Sequence, residues 1–137
     1  MSLEQAKSLL ITSASTIAVV SNGEVFTSQE RGVKPLLRLL TEKKELLKGA
    51  SVADKVIGKA AALLMVLGEI KEVHTHIISE PAIQVFKNHN IIFYYDEKVT
   101  RIVNRIGDGL CPMESLCLDI DDPEEAFLAI KNKLSAN

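Results

Sequence analysis

The chain has no tryptophan, four phenylalanines and two tyrosines, so few rings are on hand to stack on bases. It also lacks an excess of positive charge: 16 basic against 18 acidic residues leave a formal charge of -2, with no bulk attraction for a polyanion. Nucleic acid is therefore not an expected partner. No apolar run approaches the roughly 18 residues that cross a bilayer; the longest, Ala60 to Leu67, falls far short, and no basic flank leads into a long apolar stretch near the start. A membrane partner and export are not expected. Cysteine is limited to Cys111 and Cys117. On one helix their Cα atoms would stand about 9 Å apart, too far for a bridge, so reduced thiols and a cytoplasmic location are expected. The phosphate loop GxxxxGK[ST] and the GxSxG elbow are both absent, which disfavours a P-loop NTPase and an α/β-hydrolase.

What remains has the balance of a globular protein. The 137 residues are 47% hydrophobic and 25% charged, which fits a single domain over 1–137. Apolar positions at Leu3, Ala6, Leu9 and Leu10 recur at helical spacing. Strands near 16–21 and 24–28 flank Asn22-Gly23, a pair suited to a tight hairpin turn. Pro35 opens a helix over 35–48 that Gly49 can stop. Ser51 and Asp54 have capping-box spacing and predict a helix from Val52 to Gly68, apolar all round in its later half. EVHTHIIS at 72–79 predicts a strand, Ser79 with Pro81 a helix ending near Asn88, and IIFYY at 91–95 another strand. The β-branched residues of 99–106 favour a strand, and Gly107-Asp108-Gly109 a turn. Helices then open at Pro112, with Cys111 as cap, and at Pro123, the last running to Leu134. Strands alternating with helices after an initial hairpin predict an α/β three-layer sandwich, a mixed sheet with helices on both faces.

Three places gather chemistry. On the helix predicted from Val52, Lys55 and Lys59 are neighbours at i and i+4, placed to bind an anion or, if partly desolvated, to supply a base or nucleophile. Asp54 has a sufficient explanation as a capping residue, and two lysines snorkelling from a helix edge are the plain alternative. Arg31 and Lys34 bracket a glycine just before a helix, where free N–H groups and cations make a phosphate or carboxylate cradle. Cys111 at a helix start would have its thiolate stabilised, while Glu114, three positions on, can reach back to the Cys111 amide as an ordinary cap. His74 and His76 share a strand face but have no third ligand in their segment, so no metal and no cofactor are expected.

The segments RGVKPLL, GASVADKVIGKAAALL, ISEPA and VNRIGDGLCPME together resemble an uncharacterised prokaryotic family, a domain of unknown function assigned to the cytidine deaminase-like fold. The resemblance spans essentially the whole chain, implies the same mixed sheet between helical layers, and brings no established activity. Zinc deaminases place a His or Cys and a proton-shuttling Glu at the start of the central helix, and a P-C-x-x-C pair at the start of another. From Ser51 through Met65 there is no His, Cys or Glu, and the second motif reads Cys111-Pro112 with Cys117 six residues later. Zinc-dependent deamination is not expected.

What the resemblance implies is a kept place with changed contents. If the two helix starts converge, Asp54, Lys55, Lys59, Cys111 and Glu114 meet in one pocket, with Arg31, Lys34, Asn104 and Arg105 at its rim. The leading expectation is a zinc-free deaminase-like domain that binds a small anionic or nucleotide-like metabolite. Two alternatives stand beside it: a zinc-independent enzyme with Cys111 as nucleophile or Lys55 or Lys59 as base and Glu114 or Asp54 assisting, and an inactive scaffold that binds protein partners or a second copy of itself.

Overall fold

The computed structural model describes residues 2–103 and 111–135. Helix α1 (Ser2–Thr12) leads into a hairpin of β1 (Ile17–Ser21) and β2 (Glu24–Ser28). Asn22 and Gly23 take the positive φ angles of 49° and 84° that the turn needs, as their sequence predicts. Helices α2 (Lys34–Glu42) and α3 (Lys44–Leu47) follow, then β3 (Ser51–Ile57), α4 (Lys59–Leu67), β4 (Glu72–Ser79), α5 (Glu80–Asn88), β5 (Ile92–Val99), α6 (Pro112–Cys117) and α7 (Pro123–Ser135).

The five strands form one mixed sheet in the order β2-β1-β3-β4-β5. β1 runs antiparallel to both β2 and β3, whereas β3, β4 and β5 are mutually parallel neighbours linked through α4 and α5. On one face α1 packs alone among the described helices, setting Ala6, Leu9 and Leu10 against Val20 and Ala53. Val19 and Val52, each one residue from those positions and so on the opposite face, join the main core with Leu36, Leu47, Leu63, Phe86 and Ile130 from the other helices. An α/β architecture with helices on both faces of a mixed sheet is thus present.

The largest correction concerns the helix expected from Val52 to Gly68. Residues 51–57 are instead the central strand, hydrogen-bonded on one side to β1 and on the other to β4. Val52, Val56 and Ile57 are β-branched, residues 51–54 are paired along both edges and Val56 and Ile57 along the β4 edge, and against that pairing an S-x-x-D spacing carries little weight. Ser51 Oγ donates to Glu72 Oε2 at 2.6 Å across the sheet and caps no helix. The helix begins after Gly58, and from Lys59 through Met65 every residue is buried, as the all-round apolar pattern predicted for its later half. Two smaller differences follow. The helix expected over 35–48 breaks at Lys43 (φ -146°, ψ 56°), so that α3 turns Leu46 and Leu47 into the core. β5 runs on to Val99, residues 100–102 are not strand as expected and Val103 forms only an isolated bridge, while 104–106 of the expected strand and the 107–109 turn lie outside the described residues.

Candidate functional site

The start of α4 is where separate segments meet. Gly58, its N-cap, is extended and has no side chain to satisfy the first amides of the helix. Glu114 on α6 does so from across the fold: its Oε1 accepts from the Ala60 N–H at 3.4 Å, and the Lys59 amide also donates to its carboxylate. A Cβ on Gly58 would collide with that Oε1 and stand 2.7 Å from Glu114 Cδ and 3.1 Å from Ile102 Cγ1. Only glycine fits between strand and carboxylate. Glu114 therefore is a cap, but of α4 and not of its own helix, where the Cys111 amide donates to the Ile102 carbonyl at 3.0 Å.

Burial dominates the electrostatics here. Glu114 is 5% exposed, and loss of solvent raises its pKa despite the two amides and the nearby Lys59 charge, which lower it. The Cys117 thiol, buried in the same cluster, is pushed up to about 11 by desolvation and then by the Glu114 charge, with Lys59 opposing both. That thiol is held neutral and inert. The Lys59 ammonium donates to the Leu118 carbonyl and to Asp121 Oδ1, each at 2.9 Å. Its side chain is 10% exposed while that of Asp121 is 92% exposed, so the lysine is a buried tie between α4 and the α6–α7 connection.

Lys55 does not share this environment. It projects exposed from a strand, so the helical i, i+4 relation to Lys59 does not exist. The two lysines should consequently answer differently to truncation. In urea denaturation, Lys59→Ala is expected to cost about 2–3 kcal/mol, because the space of a buried side chain is emptied and the part-buried Leu118 carbonyl loses its donor. Lys55→Ala should stay within about 0.5 kcal/mol of wild type. Equal losses would contradict the assignment of Lys59 as a buried tie.

Asp54 lies on β3 beside Ile17 on one flank and Thr75 on the other. Burial lifts its carboxyl pKa to about 8, outweighing the nearby Lys55 and Val56 amides, which lower it. Asp54 was expected as a helix cap; it is a proton-holding carboxyl inside the sheet. Cys111 is the N-cap residue of α6, half-buried and making no capping bond through its thiol. Arg31 is exposed, and Lys34 begins α2 beside a shallow groove of about 290 Å³ formed with Leu37, Arg38, Thr41 and Leu134. Neither is among the side chains that meet at the α4 start. Asn104 and Arg105 lie outside the described residues. Of the expected set, Lys59 and Glu114 come together.

Sequence reasoning missed Asp121, which carries no local signal, and Cys117 as a member of the cluster. It also read Gly58 as helix interior, although a glycine between a β-branched pair and an alanine run is a boundary signal. On the opposite face of the sheet, His74 Nε2 and His76 Nδ1 bond the two oxygens of Asp96 at 3.2 and 3.1 Å. The His76 hydrogen bond is the largest influence lowering the Asp96 pKa. His74 also lines an open cleft of about 560 Å³ with Lys7, Lys71, Glu72 and Tyr94 beside the first turn of α1. Among the described residues, no group of three or more His, Cys, Asp or Glu side chains is placed to hold a metal ion, and no helix is long and apolar enough to cross a membrane.

Comparison with known proteins agrees with the fold. The crystal structure of a DUF1893 family protein (TM1506) from Thermotoga maritima superposes with a TM-score of 0.89 at 31% identity, over 96% of this chain and 89% of that one. No curated protein matches. The family model TM1506, domain of unknown function (DUF1893), matches residues 5–134, and the chain belongs to that family.

Proposed function

We propose that this domain is a zinc-free, cytidine deaminase-like binding module whose ligand, a small anionic or nucleotide-like metabolite, is held at the junction of α4 and α6. The observation that carries this reading is the Glu114 carboxylate lying against the Lys59 and Ala60 amides: the helix start already receives a carboxylate, supplied by the chain itself. A buried carboxyl, Glu114, and a buried thiol, Cys117, both with raised pKa values at that junction, add the displaced proton affinities that mark functional clefts. An incoming anion competes with Glu114, so the site is self-occupied until a ligand displaces it.

The deaminase-like part of the reading draws support from the mixed sheet with helices on both faces and from the meeting of the central helix start with the α6 segment. Zinc chemistry is not part of it, because the α4 start carries Lys59, Ala60 and Ala61 where a His or Cys and a Glu would be needed. Catalysis through Lys59 is disfavoured by its two hydrogen bonds, and catalysis through Cys117 by its raised pKa.

Thermal denaturation with AMP, ADP and inorganic phosphate at millimolar concentration tests the reading. At least one should raise the melting temperature of wild type by several degrees, and Glu114→Ala, which vacates the amides, should increase that shift. No shift in either protein rules out the proposal, and an equal shift in both moves the ligand away from α4.

A further inference from the structure

We propose that the open cleft of about 560 Å³ between the first turn of α1 and the β4–β5 half of the sheet binds a small zwitterion, a free α-amino acid with an apolar or aromatic side chain, its ammonium against Glu72 and His74 and its carboxylate against Lys71 and Lys7. The fold makes this hollow where α1 stops. That helix packs over Val20 and Ala53; Ala53 is in register with His74, and His74 with Tyr94, so β4 and β5 carry the same sheet face onward past the helix. A face waiting for another helix would be apolar. This one presents Glu72, His74 and His76 from β4 and Tyr94 and Asp96 from β5.

Two of these side chains are held from the neighbouring strands. Ser51 on β3 donates to Glu72 Oε2 at 2.6 Å, and Asp96 on β5 places one oxygen 3.2 Å from His74 Nε2 and the other 3.1 Å from His76 Nδ1. Glu72 and His74 stand two positions apart on β4 and both line the cleft. With Nε2 donating to Asp96, the Nδ1 lone pair of His74 and the second oxygen of Glu72 remain as acceptors. Side chains fixed before a ligand arrives lose little freedom when it binds. Two fixed acceptors call for a group with several N–H donors, which an ammonium is. The Tyr94 ring, stacked on no other aromatic ring among the described residues, gives that cation a face to rest on.

The charge of the lining decides between ligand classes. Lys7 and Lys71 stand with Glu4 and Glu72, so a ligand of one sign meets as many like charges as opposite ones, whereas a molecule carrying both signs can match each. Lys71 has no ion pair or hydrogen bond at its ammonium among the described residues, and Lys7 approaches Glu4 only at 4.0 Å. Both are available to a carboxylate. Leu3 and the body of Tyr94 supply the apolar surface, which favours an apolar or aromatic side chain on the ligand.

Isothermal titration of the full chain with L-phenylalanine and L-leucine tests the proposal, with N-acetyl-L-phenylalanine and L-phenylalaninamide as probes that each lack one charge. At least one free amino acid should bind, and each blocked form should bind about tenfold or more weakly than free phenylalanine, because one charge-assisted pairing is lost. Lys71→Ala and Glu72→Gln should each weaken binding of the free amino acid by a similar factor with an unchanged circular dichroism spectrum. No binding of either amino acid, blocked forms that bind as tightly as the free one, or an affinity unchanged in either variant would each overturn the proposal. Glu114→Ala should leave this affinity as it is, so the cleft and the α4–α6 junction succeed or fail separately.

Discussion

Asp54→Asn should stabilise the protein at pH 8 and remove much of the pH dependence of its stability. Asp54 has an ordinary carboxylate pKa of 3.8 when unfolded and about 8 in the fold. Below about pH 4 both states are protonated and the group contributes no difference. As pH rises between those two values, the unfolded chain gives up the proton while the native sheet keeps it. The native state then binds more protons, and stability falls by about 1.4 kcal/mol per pH unit, levelling off once pH passes the folded value. Glu114, whose pKa is raised by burial, adds a contribution of the same sign. A carboxamide at position 54 has nearly the same shape but no charge to bury. The gain at pH 8 is expected to reach several kcal/mol, with little difference near pH 4. Urea denaturation of both proteins at pH 4, 6 and 8 measures it, and wild-type and variant curves that stay parallel across that range would refute the buried-proton account.

Gly58→Ala carries the second large expectation, a loss of about 2–4 kcal/mol. The added methyl cannot coexist with the present position of the Glu114 carboxyl, and Ile102 closes the other side. Relief comes only by turning Glu114 away, which strips the first amides of a buried helix of their acceptor and leaves a carboxyl to find new partners. Two costs therefore combine. A double-mutant cycle separates them: in a Glu114→Ala background the same substitution should cost about 1 kcal/mol or less, since the obstructing atoms are gone. A full-sized loss in that background would mean that the glycine is needed for its backbone and not for Glu114. Far-ultraviolet circular dichroism and denaturant midpoints suffice for both measurements.

Elements whose signals are local were readable from the chain. Asn22-Gly23 forms its turn, and Ser79 caps α5 by accepting from the Ala82 amide at 3.2 Å. Pro112 and Pro123 open their helices. SVADKVI was not readable in this way, because its strand identity comes from partners on both sides that lie elsewhere in the sequence, while its Ser51 and Asp54 imitate a helix start. The resulting merger of β3 with α4 placed Lys55 beside Lys59, a juxtaposition that disappears once the strand is recognised. At the candidate site, the expectation of one pocket was conditional on a helix starting at Val52, and of its members Lys59 and Glu114 meet, at a helix start seven residues later. What fills the junction was hidden, since Lys59 finds Asp121 at a separation of 62 residues and no periodicity reaches so far. Burial, likewise, is what distinguishes Asp54 from an ordinary surface aspartate, and it is a property of the packed sheet.

The acceptor for the Ala60 amide comes from a residue 54 positions later in the chain. During synthesis, residues 59–67 leave the ribosome well before position 114 does, and until then the innermost helix has bare amides at its head. Loop closure over that distance must precede the final docking of this helix, which places its completion among the last steps of folding. A nascent chain stalled before position 111 is thus expected to be protease-sensitive around residues 59–67 even though every strand of the sheet has already been made.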